Sequence, residues 1–254
     1  MKKQIIVSAG DAITARLVKE AGFDGIWVSG FEASARLGLA DNGSITMTEM
    51  LHITKPIVEA VDIPVYVDVD TGYGNLQRTV TEFERIGVAG LSVEDNVEGQ
   101  KQNSLWGGKM PLMDMCKFGD KIHGIRRNKI KIIARTEALI RGYGSDECIS
   151  RVEHYQRRGA DICLPHSREK DLILKWHKPD TPMAIVPTKF PECTNKELFD
   201  MGYSMIIWAN QTERVKIKAI REALISLRAC DCASDIEMNL SATLDDMKGL
   251  MPNG

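Results

Sequence analysis

Apolar runs of strand length alternate with amphipathic stretches of helix length along the chain. The runs at 4–8, 25–29, 65–70, 90–94, 131–135, 161–166, 183–188 and 205–210 are short and rich in Val and Ile, and most end in a polar residue. Near-continuous apolar strands are what a parallel sheet covered on both faces requires. Between them, 12–21, 48–61, 76–86, 146–158 and 212–228 carry helical patterns. The segments starting at Ala21, Ile86, Arg158 and Met201 share one grammar, a helix ending at a Gly and a buried strand following within a few residues. Eight β-then-α units closing on themselves predict a (β/α)8 barrel of the TIM type, with a doubly wound open sheet as the structural rival. One α/β domain over 1–254 is expected, with the barrel at about 4–228 and a helical extension at about 233–254.

Three stretches fall outside the repeat: a polar insertion at 40–46, a longer loop at 96–111 after the fourth strand, and a short amphipathic helix at 244–250. Long βα loops lie at the C-terminal face of a barrel, where active sites form. The orphan helix has its own barrel or a neighbour's to pack on.

Composition narrows the class. With 43% hydrophobic and 27% charged residues the chain is globular, and a net charge of -2 leaves no basic footprint for nucleic acid or an anionic membrane. No run suits a membrane span, and the Lys-rich start lacks the apolar region of a signal peptide. The six cysteines form no C-x-x-C pair, so free thiols in a reducing cytoplasm are expected.

The strand ends carry the chemistry. Ser29, Asp68, Asp70, Glu94, Asp95, Arg135, Glu137, His166, Thr188 and Asn210 would gather on one face of the barrel. Asp68 and Asp70 stand two apart, so strand period turns both the same way. With Glu94 or Asp95 from the next strand, several acidic oxygens would converge. An all-oxygen set suits Mg2+ or Mn2+ better than zinc; the alternative is that these acids pair with Arg135 and rim lysines. Arg135 and His166 end adjacent strands and could grip an anion. His52, His123, His154 and His177 fall in or near helical patterns and receive no role. Trp27, Phe31, Tyr73 and Trp208 are pocket wall or core.

Taken together, Asp68-Val-Asp-Thr-Gly-Tyr-Gly-Asn75, Glu94-Asp95, Lys101-Gln-Asn-Ser104, Ala134-Arg-Thr-Glu-Ala138, His166-Ser167, Val186-Pro-Thr188 and Trp208-Ala-Asn210 resemble the isocitrate lyase/phosphoenolpyruvate mutase superfamily over nearly the whole chain. The resemblance implies an α/β barrel whose last helix swaps between subunits of a homodimer or homotetramer. It implies Mg2+ at Asp68, with Asp70, Glu94 and Asp95 holding its waters, and a pyruvyl site around Ser29 and Gly30, with Trp27 and Asn210 beside the substrate. Asp41 matches a catalytic aspartate; Lys101, Asn103 and Ser104 match a gating loop; Arg135 and His166 match residues contacting a migrating phosphoryl group.

Within the superfamily, carbon–carbon lyases resemble one another in a Lys-x-Cys-Gly-His loop, whereas this chain reads Lys101-Gln-Asn-Ser104. Asn103 and the Trp208-Ala-Asn210 ending resemble the mutases, which interconvert phosphoenolpyruvate and phosphonopyruvate at the start of phosphonate biosynthesis. Mutases read Glu-Asp-Lys-x-Phe-Pro-Lys-x-Asn-Ser, and here Asn96 replaces the first Lys, Phe-Pro is missing and the segment is one residue longer. A leakier gate would favour phosphonopyruvate hydrolysis. Lyase or decarboxylase action on an oxaloacetate-like acid, and non-catalytic binding of a pyruvate-like ligand, complete the alternatives.

Overall fold

A computed structural model gives the fold and describes residues 2–101, 103–104, 109–175 and 182–252. His177 and positions 102 and 105–108 of the long loop lie outside the described residues. The elements run β1 (Gln4–Ser8), α1 (Ala12–Glu20), β2 (Gly25–Val28), α2 (Gly30–Arg36), α3 (Met47–Ala60), β3 (Val65–Asp68), α4 (Leu76–Arg85), β4 (Gly90–Glu94), α5 (Met115–His123) and β5 (Lys131–Thr136). They continue with α6 (Ser145–Arg157), β6 (Ile162–Pro165), α7 (Lys170–Lys175), β7 (Ala184–Ile185), α8 (Asn195–Asp200), β8 (Met205–Trp208), α9 (Gln211–Cys230), α10 (Ser234–Asn239) and α11 (Leu244–Gly249).

All eight expected strands form, and every pair is parallel. The sheet runs β6-β5-β4-β3-β2-β1-β8-β7. Among the described residues it closes through one parallel bridge between Cys163 and Met183, with Cys163 N donating to Pro182 O at 3.0 Å. β7 is the weakest stave because Pro182 and Pro187 flank it and neither can donate to a ladder. This is the barrel of the sequence reading, not the open sheet. The four echo glycines Gly22, Gly87, Gly159 and Gly202 all take positive φ.

Strand alternation divides the core. Ile6, Trp27, Tyr66, Ile133, Ile162, Leu164, Ala184, Met205 and Ile207 form one cluster, filling the barrel, while residues of opposite parity such as Val7, Ile26, Val67, Leu91 and Ile132 pack with the helices. Gly90 makes room for Tyr66, whose Cδ1 would sit 2.9 Å from an added Cβ. Among the described residues no helix is long and apolar enough to cross a membrane.

The last helices follow the barrel without being buried by it. No residue of α9 is buried, and Val215, Ile220, Leu224 and Ile225 are exposed along it. The chain end returns to its own barrel, where Arg16 Nη1 donates to Leu250 O at 2.7 Å. The structure of the single chain does not display the expected swap of this helix.

One acid is buried where β1, α2 and α9 meet. Ser8 Oγ donates to Glu32 Oε1 at 2.9 Å, and Thr212 Oγ1 donates to Ser8 O at 2.9 Å. Burial pushes the Glu32 carboxyl up to about 7, against the Ser8 hydrogen bond, with Glu213 adding to the rise. A raised carboxyl binds its proton more tightly in the folded state. Its contribution is therefore fully present below about 4.5 and is lost as pH rises through about 7. That rise corresponds to on the order of 3 kcal/mol. Thermal melts of Glu32→Gln and wild type between pH 5 and 8.5 are expected to show the variant gaining relative stability with pH. A gap that stays constant across this range would refute the assignment.

Candidate active site

The barrel ends in a polar layer for the same reason that its interior is apolar. Strand parity carries Trp27 on to Ser29, Tyr66 on to Asp68, Ser92 on to Glu94, Ile133 on to Arg135 and Leu164 on to His166. Beyond β3 the chain turns sharply: Gly72 N donates to Val69 O at 2.8 Å, and Asp70 and Tyr73 adopt left-handed φ of 50° and 52°. For non-glycine residues this conformation costs about 1–3 kcal/mol each and clusters at functional sites. The next strand holds the turn, with Glu94 N donating to Asp70 O at 2.7 Å.

Asp68, Asp70 and Glu94 are all buried and offer carboxylate oxygens that lie within 4.8 Å of one another. Asp68 Oδ1 and Asp70 Oδ2 have no hydrogen-bond partner among the described residues. Burial raises the Asp68 carboxyl to about 7, with the Arg135 charge opposing and the Glu94 charge adding; Asp70 is raised for the same first reason. Converging buried oxygens with unspent lone pairs fit a hard divalent cation. The donor set passes that test on its own geometry.

Asp95 does not join the triad. Adjacent strand residues face opposite ways, so Glu94 turns into the barrel and Asp95 outward to α6. There Asp95 Oδ2 accepts from Thr136 Oγ1 (2.7 Å), Tyr155 OH (2.8 Å) and Arg151 Nη1 (3.1 Å), while Oδ1 accepts from Glu137 N (2.9 Å). Its lone pairs are engaged, so Asp95 stands apart from the three converging carboxylates with which the sequence reading grouped it.

On the other side lies Arg135, 8% exposed. Its Nη1 donates to Asp68 Oδ2 at 3.1 Å and lies 3.0 Å from Glu94 Oε1; Nε donates to Glu137 Oε1 at 2.7 Å, and Nη2 to Ser104 Oγ at 3.0 Å. His166 Nδ1 is 2.8 Å from both Arg135 Nη2 and Glu137 Oε1. Burial alone would lower the guanidinium's pKa, but Glu137, Glu94 and Asp68 hold it well above its usual value. Glu137 is held well below the usual carboxylate range by Arg135 and His166, despite its burial. Ser104 Oγ donates to Glu137 Oε2 at 2.9 Å and completes the set.

The two insertions meet above the triad. Lys101 Nζ donates to Asp41 Oδ1 at 3.0 Å and to Asp70 Oδ1, and Asn103 Nδ2 donates to Asp41 Oδ2. Burial opposes the Lys101 charge, yet Glu94, Asp70, Asp41 and Asp68 keep the ammonium's pKa well above normal. One pocket is lined by Trp27, Ser29, Asp41, Asp68, Glu94, Lys101, Asn103, Ser104, Arg135, His166 and Asn210, together with Phe31, Arg168, Thr188, Lys189 and others. Gly30 adjoins it; an added Cβ there would lie 3.3 Å from Asp70 Oδ1. The sequence reading placed Glu137 at the strand end but gave it no role. The parity that joins Asp68 to Asp70 also joins Arg135 to Glu137, and a buried Arg needs a carboxylate partner.

Residues 2–228 match the family described as Phosphoenolpyruvate phosphomutase. The phosphoenolpyruvate phosphomutase of Tetrahymena pyriformis is 32% identical over 229 residues, 85% of this chain and 76% of that protein. The phosphonopyruvate hydrolase of Variovorax sp. is 32% identical over 235 residues, 87% and 81% of the two chains, and lyases match at comparable identity. The crystal structure of a phosphoenolpyruvate phosphomutase from Streptomyces platensis subsp. rosaceus superposes with a TM-score of 0.92 at 34% identity, covering 98% of this chain and 91% of that one. A phosphonopyruvate hydrolase solved with oxalate and Mg++ gives 0.89 at 28% identity, with coverage of 98% and 89%. With its barrel, its acidic triad and this span of similarity, the chain belongs to the phosphoenolpyruvate phosphomutase family, an enzyme family whose relatives at comparable identity include a 2-methylisocitrate lyase.

Proposed function

We propose that the protein interconverts phosphoenolpyruvate and phosphonopyruvate. The C3–P bond of phosphonopyruvate breaks and a P–O bond to the enol oxygen forms; substrate and product are isomers, so nothing else is consumed. The observation that carries this reading is the joint burial of Lys101, Asn103 and Ser104, 8%, 3% and 9% exposed, over the pocket. A transferring phosphoryl group is captured by any water that reaches it, so an intramolecular transfer needs its lid side chains inside the site.

Each group then has a task. Asp68, Asp70 and Glu94 would hold Mg2+, which supplies positive charge to offset the carboxylates and steady the substrate's oxygens. The hydrolase with oxalate and Mg++ supports that choice, since oxalate has the carboxylate-and-oxygen outline of an enolpyruvate. The backbone at Ser29 and Gly30 receives the pyruvyl end, walled by Trp27 and Asn210. Arg135, His166 and Asn103 stabilise the charge on a loose phosphoryl group between oxygen and carbon. Lys101 and Asp41 tie the lid to the triad. Asp95 acts here as a positioning residue, through its bond to Glu137 N.

Hydrolysis to pyruvate and inorganic phosphate is the second reading. It is favoured by one feature, the exposed stretch Glu98, Gly99 and Gln100 that replaces the mutase pattern before Lys101. Lyase chemistry has less support, as no cysteine is among the described residues that line the pocket. A homo-oligomer completes the proposal, with the exposed stripe of α9 as its contact surface. Location in the cytoplasm belongs to the same proposal, and the free cysteines support it.

Phosphorus NMR of phosphonopyruvate with the protein and Mg2+ is expected to yield phosphoenolpyruvate. Inorganic phosphate alone would mean a hydrolase, and an unchanged spectrum would remove phosphoryl transfer altogether. Asn103→Ala is expected to cost about a hundredfold or more in turnover. An unchanged rate would take Asn103 out of the chemistry. Mg2+ at about a hundred times its dissociation constant should stabilise the wild type by about 2.7 kcal/mol in thermal melts, and Asp68→Ala should fold but lose both that gain and turnover. Full activity after chelation would overturn the metal assignment.

A further inference from the structure

The stretch in which this chain departs from the mutase pattern is a built turn. Gln100 N donates to Val97 O at 3.1 Å, and Gly99 takes φ +72°, so Glu98 and Gly99 occupy the two corners of a four-residue reversal. Glycine at the second corner is what a left-handed backbone there demands. The reversal sends Lys101 down to Asp70 and Asp41.

The base of the same loop is pinned separately. Met113 N donates to Asp95 O at 2.8 Å, Asn96 pairs with Leu112, and Arg151 Nη1 donates to Met113 O at 2.9 Å. Asn96 Nδ2 donates to Glu94 Oε2 at 2.6 Å. A loop with a fixed neck can move only above it.

One side chain outside the pocket reaches that movable part. Lys121 Nζ, on α5, donates to Glu98 Oε1 at 2.5 Å and to the carbonyl oxygen of Thr71 at 2.7 Å. Thr71 directly follows the left-handed Asp70. Lys121 is 19% exposed and Glu98 43% exposed, so the ammonium is screened less than an ordinary surface pair. It lines no part of the pocket. We propose that Lys121 is a positioning residue that latches the Glu98 turn to the Asp70 loop, so that closure of the lid and placement of the acidic triad are held together. The latch replaces the Phe-Pro that the mutase pattern carries in this stretch. Resting on the mutase reading above, it sets how much of the phosphoryl group stays in the molecule and how much is lost to water as inorganic phosphate, leaving pyruvate.

Two measurements on the full chain test it. The first is independent of the reaction: the rate of tryptic cleavage after Lys101, followed by mass spectrometry, with cleavage after Lys131 in β5 as a control for global unfolding. Glu98→Gln is expected to raise cleavage after Lys101 two- to fivefold. Lys121→Met also loses the Thr71 bond and should raise it at least about fivefold. Lys121→Arg, which keeps the charge, should restore most of the protection. Wild-type cleavage in both Glu98→Gln and Lys121→Met, or equal acceleration at Lys131, would overturn the latch.

The second measurement is the product partition from phosphonopyruvate and Mg2+ by phosphorus NMR. The share of inorganic phosphate should rise in Lys121→Met and Glu98→Gln and fall back in Lys121→Arg. Faster cleavage with an unchanged share would overturn the latch's role in partition. Phosphate alone from the wild type would overturn the mutase reading, and the cleavage rates would then still decide whether Lys121 holds the lid.

Discussion

Excess buried negative charge is the constraint to which the top of this barrel answers. Asp41, Asp68, Asp70, Glu94 and Glu137 are all buried within one connected set, and among the described residues Lys101 and Arg135 are the buried cations paired with them. Like carboxylates in a dry site raise one another's pKa; at Asp68 burial is the first cause of the rise to about 7, with Glu94 and Asp70 adding to it and Arg135 and Lys101 opposing it. Removing either cation would leave charges uncompensated, typically a loss of 3–5 kcal/mol for a buried pair. The surplus falls on the three carboxylates whose oxygens converge, which is where a divalent cation restores neutrality. The opposite wall, built on Arg135 and His166, remains suited to an anion.

Alternation along each strand distributes these roles. Because successive residues face opposite sides, a barrel stave that is apolar below can deliver one polar group into the mouth and its neighbour to the helices outside. Glu94 and Asp95 are the clearest case: one joins the triad, and the other binds Arg151 and Tyr155 of α6 and steadies Glu137 from behind. The geometry of the acidic triad and the packing of α6 on the barrel are thus set by adjacent residues, Glu94 and Asp95.

Local pattern made the barrel legible. Each of the eight strands lies where a short Val- and Ile-rich run predicts it, and the four echo glycines take the positive φ that ends a helix. Boundaries moved mainly at the C-terminal strand ends, where 65–70 became Val65–Asp68 because the backbone turns left-handed at Asp70. β7 shrank to two residues between prolines. The site was legible as far as parity reaches. Grouping Asp95 with the triad overlooked the period of two, and leaving Glu137 without a role missed the same rule applied to Arg135. What no local pattern encodes is the meeting of the two insertions: Asp41 and Lys101 are sixty positions apart and come together only because β2 and β4 flank β3 in the closed sheet.

That meeting ties chemistry to motion. Lys101 and Asn103 share Asp41, and Lys101 also holds Asp70, so the lid is fastened to the carboxylates that would carry the metal. The Asp70 turn is the natural point of coupling, since its left-handed backbone is stored strain held by Glu94 N on one side and by contacts at Thr71 on the other. On the proposed reading, how firmly the arm at 96–104 keeps water out decides whether the transferred group stays in the molecule or is lost to water.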